Sequence, residues 1–523
     1  MGVSIVNAAP MTLAGHALRT PTKPAIVMAS DGETVMFRDL EVRSRQLARA
    51  LRDRGIRAGD VVAILMENNR AYLEVTWAAQ RSGLYYTAIN RHLTAPEVQY
   101  ILDDSGAVAI VSSESMSDVL GALDLSRIPT RIAAMGEVEG FDSYPQLLLD
   151  TSPTPLDGER EGREMLYSSG TTGRPKGVRK PIPLTPLGDP AAATVQIAAG
   201  LAMTGDTDDA VYLCPAPLYH GAPLIFSMSW QRLGATVVVM ERFDAAQGLE
   251  LIDRHRVTTG QFVPTMFTRF LRLPEHERAR HDLSSLRTVI HSAAPCPVGV
   301  KEQMIEWWGP IISEYYSGTE DVGTTFITAQ EWLSHRGSVG RPMETCHVVG
   351  PDGSELAQGE IGQIYFEGGR PFEYHNDPEK TAAATNDKGW RTLGDIGRID
   401  EDGYLYLTDR AAHMIISGGV NIYPQEAEDV LAVHPAAADV AVIGVPDDEI
   451  GESVLAVVQP VDGVDADDQL AVELVTHVRS RLAGYKCPRA VTFVDQLPRD
   501  PNGKLYKRRL REQYWSEHES LVV

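Results

Sequence analysis

A run of twelve residues combines glycine, hydroxyl and basic side chains in an order that suits phosphate binding. Glycines let backbone N–H groups turn towards a ligand, short hydroxyls add donors, and one Arg and one Lys add positive charge. An apolar pair, Met165-Leu166, precedes the run and predicts a buried strand. We therefore predict a loop that binds a polyphosphate; the alternative is a surface loop without a ligand. The run is Tyr167-Ser168-Ser169-Gly170-Thr171-Thr172-Gly173-Arg174-Pro175-Lys176-Gly177-Val178.

The predicted loop differs from the Walker phosphate loop. In a Walker loop the lysine follows the second glycine and precedes a serine or threonine. Here Lys176 precedes Gly177, and Val178 comes next. The P-loop class is therefore excluded, although the ligand chemistry is similar.

A second stretch, Tyr316-Ser317-Gly318-Thr319-Glu320, places an aromatic ring and a carboxylate on either side of a glycine. It follows the apolar pair Ile311-Ile312, which predicts a strand. An aromatic ring beside a tight turn can stack on adenine, and a carboxylate can hold Mg²⁺ that bridges phosphates. Alone, the pattern also fits an ordinary turn after a strand. Together with the phosphate-type loop it predicts a nucleotide site.

Composition limits the functional classes. The chain has 523 residues, of which 43% are hydrophobic and 23% charged, as in a globular protein of more than one domain. Its formal net charge of −23 argues against nucleic acid, which favours basic surfaces. The cysteines, at positions 214, 296, 346 and 487, are far apart, so neither a disulfide framework nor a zinc site is predicted.

Targeting signals are not evident in the sequence. The N-terminus lacks a basic segment followed by a long apolar core, so no signal peptide is predicted. The most apolar long window, Gly221 to Met240, is interrupted by Gln231-Arg232 and predicts a buried helix followed by a strand. Together with the separated cysteines, these features lead us to expect a cytoplasmic protein without a membrane span.

The elements that must position these stretches alternate between apolar strands and amphipathic helices. This alternation predicts an α/β fold with a largely parallel sheet, and we expect the phosphate-type loop to follow a strand of such a sheet. From about residue 337, frequent glycine turns between short strands predict a small β-rich subdomain, and residues 413–523 predict another α/β piece. The clearest predicted helices are 37–56, 71–81, 96–102, 244–255 and 264–272, and the clearest strands 61–66, 107–111, 237–240 and 288–290.

The segment Gly170 to Gly177 resembles the phosphate loop of the adenylate-forming superfamily, Gly-Thr-Thr-Gly-x-Pro-Lys-Gly. That superfamily comprises acyl-CoA synthetases, peptide-synthetase adenylation domains and beetle luciferases. The resemblance extends over nearly all of the chain, with further motifs in the family's order. It implies the adenylate-forming enzyme fold: an N-terminal adenylation domain at residues 1–411, with parallel-sheet α/β subdomains and a β-rich subdomain, and a small mobile C-terminal α/β domain at residues 412–523.

The resemblance assigns nucleotide contacts to several segments. It implies that Tyr316 packs on adenine, that Thr319 contacts phosphate as a catalytic residue, and that Glu320 is catalytic and binds Mg²⁺. It also implies that Asp395 grips the ribose hydroxyls, since a carboxylate accepting O–H bonds is strong and directional. The implied ATP- and AMP-binding residues are Ser168, Ser169, Gly170, Thr171, Thr172, Gly173, Lys176, Ala293, Ala294, Pro295, Tyr316, Ser317, Gly318, Asp395 and Arg410.

The remaining implied sites concern the acid and the thiol. Lys504 corresponds to the family's catalytic lysine, whose ammonium suits charge that develops at the α-phosphorus. Tyr219 and His220 correspond to the mouth of the acyl pocket, with His220 as a further catalytic candidate. Gly418 and Gly419 correspond to the glycine loop that lines the passage for the CoA arm, where a narrow channel would admit no Cβ.

Several positions depart from the family pattern, among them Arg179-Lys180 after the phosphate-type run, where the family commonly has Thr or Ser followed by His. Ser317 stands where Gly is usual, and Leu393 stands where Thr or Ser precedes the Gly-Asp pair. Ala412 stands at the hinge position that usually holds Asp or Lys, and we expect the domain pivot there. The chain therefore resembles a divergent branch, similar to bacterial CoA ligases of fatty and bulky acids.

The predicted activity is that of an ATP-dependent acyl-CoA synthetase that uses ATP, Mg²⁺ and coenzyme A. A carboxylic acid, expected to be a medium- or long-chain fatty acid or a bulky hydrophobic acid, becomes acyl-AMP with release of pyrophosphate. Transfer to CoA then gives acyl-CoA and AMP. Alternatives are an acyl- or aryl-AMP ligase that loads a separate carrier protein, an aromatic-acid CoA ligase and, more remotely, a luciferase-like oxidation. A homodimer is left open.

A protein of another class, a nucleotide-binding regulator without catalysis, is the competing hypothesis. Such a sensor needs no catalytic lysine together with a metal-binding carboxylate and a ribose-binding carboxylate. The sequence retains all three, at Lys504, Glu320 and Asp395. We therefore expect an enzyme.

Overall fold

A computed structural model describes residues 11–168, 175–202, 207, 209–410, 413–447, 449–499 and 505–515 of the chain. The chain divides into two compact units. One comes from Met1–Phe262, Leu273–Ile290 and Pro371–Thr381, and the other from Val263–Arg272, His291–Arg370 and Ala382–Val523.

The α-helices follow the predicted amphipathic segments closely. Residues 71–81 form a helix as predicted, and the helix predicted over 37–56 ends at Asp53, just before Gly55 with φ +88°. In chain order the helices are α1 (Leu13–Arg19), α2 (Phe37–Asp53), α3 (Ala71–Arg81), α4 (Ala95–Ser105), α5 (Ser117–Leu120), α6 (Tyr144–Asp150), α7 (Ala193–Ala202), α8 (Gly221–Arg232), α9 (Ala245–Arg254), α10 (Pro264–Leu271), α11 (Glu275–Arg278), α12 (Val298–Trp308), α13 (Ala329–Ser334), α14 (Pro378–Ala383), α15 (Pro424–Ala432), α16 (Asp468–Arg479) and α17 (Lys507–Trp515).

The strands are short in the first unit and longest near the C-terminus. In chain order they are β1 (Pro24–Met28), β2 (Thr34–Met36), β3 (Val61–Leu65), β4 (Tyr85–Ala88), β5 (Ala107–Ser113), β6 (Thr130–Met135), β7 (Asp142–Ser143), β8 (Arg163–Glu164), β9 (Leu166–Ser168), β10 (Lys176–Arg179), β11 (Val211–Cys214), β12 (Thr236–Val239), β13 (Thr259–Phe262), β14 (Thr288–His291), β15 (Ile312–Ser317), β16 (Thr324–Ile327), β17 (Arg341–Pro342), β18 (Thr345–Val349), β19 (Gly362–Glu367), β20 (Glu373–Tyr374), β21 (Asp395–Ile399), β22 (Leu405–Arg410), β23 (Ile415–Ser417), β24 (Val420–Ile422), β25 (Ala437–Asp447), β26 (Gly451–Pro460) and β27 (Ala490–Phe493).

Two parallel sheets form the core of the first unit. One has the order β7-β6-β5-β3-β4-β8, with every neighbouring pair parallel. In the other, β13, β11, β12 and β1 are parallel, and β2 adds an antiparallel edge. All of β3 and α3 is buried, as expected for a parallel sheet covered on both faces. The predicted α/β fold with largely parallel sheets is confirmed.

A third, small sheet of the first unit contains the described ends of the phosphate-type run. Its order is β20-β10-β9, and both pairs are antiparallel. The strand before the loop therefore belongs to a hairpin and not to a parallel sheet as we had expected. The reason is that β9 pairs directly with β10, the next strand in the chain, while β20 adds a third strand at the other edge of β10.

The second unit is mainly antiparallel. A four-stranded sheet, β18-β19-β21-β22, forms the β-rich subdomain that glycine turns predicted. Near the C-terminus β25 and β26 pair along their whole length, and α15 and α16 pack on this sheet around Leu431 and Leu474. Across the described residues, no helix combines the length and apolar character needed to cross a membrane.

Candidate active site

The predicted adenine- and ribose-binding side chains meet in the second unit. Tyr316, near the end of β15, donates a hydrogen bond from its hydroxyl to Oδ2 of Asp395 at 2.5 Å. Asp395 begins β21 and is buried. The Tyr316 ring also lies near Phe366 of β19, with the ring centroids 6.4 Å apart. A hydrogen bond thus joins two side chains that are far apart in sequence.

The turn after Tyr316 explains two departures from the family pattern. Ser317 uses its hydroxyl to donate to the carbonyl of Gly323 at 3.0 Å. A Cβ on Gly318 would lie only 2.6 Å from Leu393 Cδ2 and 2.9 Å from Glu320 Oε2. Glycine is therefore required at 318 because Leu393 packs against it, while a serine at 317 finds a partner within the turn.

The segment after β14 adopts an unusual backbone. Ala293 has φ +77°, in the left-handed region that residues other than glycine rarely occupy. Such a conformation costs roughly 1–2 kcal/mol per residue. Ala293 and Pro295 are exposed and Ala294 is half-buried, so the segment is accessible to a ligand. Strain of this kind is often found where backbone is shaped around a ligand.

The hairpin β9–β10 presents the phosphate-type loop. Lys176 lies opposite Ser168 across the hairpin, and Gly177 lies opposite Tyr167. A Cβ on Gly177 would lie 2.8 Å from Tyr167 Cζ, so this glycine makes room for the ring. Burial and the hydrogen bond from Tyr167 to Asp104, at 2.6 Å, both raise the pKa of Tyr167 and keep it a donor. The predicted residues Ser169, Gly170, Thr171, Thr172 and Gly173 lie outside the described residues.

The predicted acyl segment lies beside the same hairpin. His220 immediately precedes α8, and its ring is 4.6 Å from that of Tyr219, which is buried. A Cβ on Gly221 would lie 2.8 Å from Leu166 Cδ1 in β9. Glycine at position 221 therefore makes room for Leu166 of the strand that precedes the phosphate-type loop.

Asn68 holds the acyl segment in place, and sequence reasoning missed it. Its Nδ2 donates to the carbonyls of Ala216 at 3.2 Å and Met240 at 2.8 Å. Its Oδ1 accepts from the backbone N–H of Leu218 at 2.8 Å. The side chain is 5% exposed. The only sequence signal is a polar residue just after a buried strand, which does not reveal partners so distant in sequence.

The glycine pair near the C-terminal sheet has a left-handed backbone, which by itself favours glycine. Gly418 and Gly419 form the turn between β23 and β24 with φ +57° and +78°. A Cβ on Gly418 would meet nothing closer than 3.9 Å, and one on Gly419 nothing within 4 Å. The left-handed backbone, and not crowding, therefore requires glycine in this conformation.

The remaining predicted residues lie around the predicted domain boundary and near the C-terminus. Arg410 ends β22 and pairs with Asp395 across the antiparallel register, so its backbone lies beside the ribose-binding candidate. The hinge position Ala412 and the catalytic candidate Lys504 lie outside the described residues.

The donor set around Glu320 fits Mg²⁺ delivered with ATP. Among the described residues, no group of three or more His, Cys, Asp or Glu side chains is arranged to hold a metal ion. Mg²⁺ in nucleotide sites usually keeps several waters and takes one or two carboxylates plus phosphate oxygens. The carboxylate of Glu320 lies at the turn that carries Tyr316, close to Gly318. This single carboxylate meets the protein's share of such a Mg²⁺ site, because the phosphates and waters supply the other ligands.

A family model described as AMP-binding enzyme matches residues 13–372. This chain belongs to that family. The model of the family's C-terminal domain matches residues 426–504. The resemblance to adenylate-forming enzymes is therefore confirmed.

Relatives and solved structures in this family differ in acid and acceptor. The feruloyl-CoA synthase of Amycolatopsis sp is 34% identical over 495 residues, covering 94% of this chain and 96% of that protein. The fatty acid–[acyl-carrier-protein] ligase ScoC of Streptomyces coeruleorubidus is 32% identical, covering 97% and 96%. The amide bond synthetase McbA of Marinactinospora thermotolerans has a structure with TM-score 0.79 and 28% identity, covering 96% of this chain and all of that one.

These likenesses confirm the predicted fold and the enzyme class. The chain has the adenylate-forming enzyme fold and is an AMP-forming acid–thiol ligase of the AMP-binding enzyme family. Ligases of this class use ATP, Mg²⁺ and coenzyme A, as predicted. The relatives act on acids of different kinds, so the class alone does not fix the substrate.

Proposed function

We propose that this chain is a cytoplasmic ligase that converts a hydrophobic carboxylic acid into its CoA thioester through an acyl-adenylate. The observation that carries the proposal is the hydrogen bond between Tyr316 and Asp395 beside the turn that holds Glu320. This arrangement offers one ring for a base, one carboxylate for a ribose and one carboxylate for a metal. That combination suits ATP and has no evident use in a purely structural turn.

In the proposed first step the acid carboxylate attacks the α-phosphorus of ATP, and pyrophosphate leaves. Tyr316 orients adenine, Asp395 accepts hydrogen bonds from ribose hydroxyls, and the loop with Lys176 contacts phosphates. Mg²⁺, held by Glu320, would neutralise charge on the phosphates. Lys504 would stabilise the charge that develops at the α-phosphorus, since a preorganised cation acts there without reorganisation.

In the proposed second step the CoA thiol attacks the acyl carbonyl, and AMP leaves. Residues 1–411 and 412–523 would act as the adenylation domain and the mobile domain, with a pivot near Ala412. The hairpin turn at Gly418 and Gly419 would lie along the CoA path. Positioning and charge stabilisation supply most of the catalysis in such transfers.

We propose a fatty acid of medium or long chain, or a bulky hydrophobic acid, as the substrate. The support is the apolar, aromatic character of the segment around His220. Tyr219 is buried against His220, and the His92 ring lies 6.5 Å from that of Tyr219. An aromatic acid is the second candidate, because the feruloyl-CoA synthase relative acts on one. A carrier protein is the alternative acceptor, as in the ScoC relative.

A pyrophosphate-release screen tests the proposal. Acids of graded chain length and ring content are assayed with ATP, first alone and then with CoA or with a phosphopantetheinylated carrier protein. We expect release with hydrophobic acids and thioester formation with CoA. If no acid causes release of pyrophosphate, the proposal is overturned. If a thioester forms only on the carrier protein, the acceptor is the carrier protein and not CoA. Light scattering on the same preparation tests for a homodimer.

Lys504→Ala separates the two half-reactions. It should lower adenylation by roughly a hundredfold to a thousandfold, the loss typical of one preorganised transition-state contact. Conversion of supplied acyl-adenylate and CoA should continue near the wild-type rate. Equal loss in both half-reactions would remove Lys504 from the proposed role.

A further inference from the structure

A buried charge cluster lies directly behind the nucleotide-binding segments of the second unit. The carboxylate of Glu314, in β15, receives a hydrogen bond from Lys301 Nζ of α12 at 2.6 Å. The same oxygen, Oε2, lies 3.3 Å from Nε2 of His291. The side chains of Lys301 and His291 are completely buried, and that of Glu314 is 6% exposed. None of these residues belongs to the site described above.

Two aromatic rings pack against the buried cluster. Lys301 Nζ lies 4.8 Å from the centre of the Trp332 ring, and the His291 ring packs edge-on against Phe267 at 5.4 Å. Burial would raise the pKa of Glu314, but the contacts with His291 and Lys301 lower it below its ordinary value. Burial lowers the pKa of His291, so Lys301 supplies the balancing positive charge.

Stability alone does not account for such a cluster. Well-packed apolar residues of similar volume often stabilise a fold as well as a buried ion pair does. What an ion pair with short contacts adds is a defined geometry between the elements that carry it.

The cluster joins both elements that approach the nucleotide. His291 immediately precedes the segment with the left-handed Ala293, and Lys301 lies in the helix that follows this segment. Glu314 lies two residues before Tyr316 in β15, so both side chains lie on the same face of the strand. One carboxylate oxygen thus anchors the two flanks of the 292–297 loop to the strand that carries the adenine-stacking candidate.

We propose that Glu314, bound to Lys301 and in contact with His291, is a positioning residue that sets the affinity of this enzyme for the adenine nucleotide. The inference rests on the proposed function, because it takes Tyr316 and the 292–295 segment as the adenine site. Glu314 itself touches no substrate. It holds Ala293 in its strained backbone conformation, and it fixes the position of Tyr316 relative to the 292–295 segment.

The test compares AMP binding with stability in four proteins: the wild type, Glu314→Gln, the double variant Glu314→Gln with Lys301→Met, and Glu41→Gln. The last is a matched control, since Glu41 forms a comparable buried pair with Arg81, whose side chain is completely buried, in α2 and α3. AMP affinity is measured by titration calorimetry and stability by thermal unfolding. KM values for ATP and for the acid are measured separately.

We expect Glu314→Gln to weaken AMP binding and to raise the KM for ATP by at least about tenfold, while the KM for the acid changes less than about twofold. The double variant should regain thermal stability, because no buried charge remains unpaired, but it should not regain AMP affinity. Glu41→Gln should lose stability and keep its AMP affinity.

Two results decide against the inference. AMP affinity restored together with stability in the double variant would make the cluster purely structural. Unchanged AMP affinity in Glu314→Gln would also make the cluster purely structural. If Glu314→Gln does not fold, the AMP affinity of the double variant alone decides between the two roles. A wild-type protein that binds neither AMP nor ATP would instead overturn the proposed function itself.

Discussion

The hydroxyl of Tyr316 donates a hydrogen bond to Oδ2 of Asp395 across 2.5 Å, and so joins the end of β15 to the beginning of β21. A carboxylate can accept several hydrogen bonds, so the tyrosine can orient Asp395 while Asp395 accepts ribose hydroxyls. One side chain would then serve two parts of the nucleotide: its ring contacts the base, and its hydroxyl prepares the sugar site.

Tyr316→Phe separates these two roles. The ring and its stacking remain, but the hydrogen bond to Asp395 is lost. Hydrogen bonds to charged groups contribute about 1.5–3 kcal/mol, so the KM for ATP should rise roughly tenfold to a hundredfold. The decisive measurement is discrimination against 3′-deoxy-ATP, which should fall in the variant because the ribose carboxylate is no longer oriented. Tyr315→Phe, one residue earlier in β15, is the control. Discrimination equal to that of the wild type would show that the tyrosine hydroxyl does not prepare the ribose site.

Glu320→Gln tests the metal assignment. The substitution keeps the shape of the side chain at the turn and removes its charge, so the Mg²⁺ concentration that gives half-maximal adenylation should rise markedly. Affinity for CoA should stay the same. Asp321→Asn is a matched control in the same turn, since Asp321 has φ +58° and asparagine tolerates this conformation. If both variants shift the Mg²⁺ titration equally, the effect comes from the charge of the turn and not from coordination by Glu320.

The sequence predicts the elements well where their signals are local. Helix 71–81 and the strand that begins at Val61 follow from apolar runs bounded by turn residues, and both form as predicted. Pairing over long distances leaves no such signal. The antiparallel contact of β10 with β20 joins residues that the hydrophobic pattern cannot connect. The phosphate-type run begins and ends in the antiparallel pair of β9 and β10, and not in a parallel sheet as predicted.

The sequence predicts only those residues of the candidate site that belong to a recognisable motif. The order of motifs predicts Tyr316 and Asp395 as partners of one nucleotide, but not the hydrogen bond between them. Asn68 and Glu314 lie outside every motif, because their role is to hold other segments and such partners cannot be inferred from spacing. The assignment of Gly418 and Gly419 to the CoA path stays a prediction, and in this structure their left-handed backbone accounts for the two glycines.

Asn68→Ala should act on the acid side of the reaction. Three hydrogen bonds to the backbone around the acyl segment are lost, and buried carbonyls remain unpaired at about 1–3 kcal/mol each. We expect a KM for the acid raised roughly tenfold, with the KM for ATP nearly unchanged. Asn69→Ala is the control, because Asn69 bonds only locally, to Glu67 and to the N–H of Ala71. A general loss of kcat with both KM values unchanged would indicate that Asn68 serves stability alone.

Asp429, on α15, gives a pH dependence whose sign can be stated in advance. Burial raises its pKa from 3.8 to about 7, with a further contribution from Glu428, against the hydrogen bond from Gln425 at 2.7 Å and the charge of Lys507. Since the folded-state pKa lies above the unfolded one, the fold favours the protonated carboxyl. The destabilisation is therefore absent below about pH 4, grows as the pH rises and is complete above about pH 7.

Asp429→Asn should remove this dependence. The amide stays neutral, so the variant should match the wild type near pH 4 and be more stable near pH 8, by at most about 4 kcal/mol for a shift of about three pH units. Urea unfolding followed from pH 4 to pH 8 measures the difference between the two proteins. Asp462→Asn makes the same change at an exposed aspartate of the same region and should leave the profile unaltered. A variant that is less stable than the wild type at pH 8 would mean that Asp429 is held ionised, with Lys507 as its partner, and that burial is not the dominant influence on its charge.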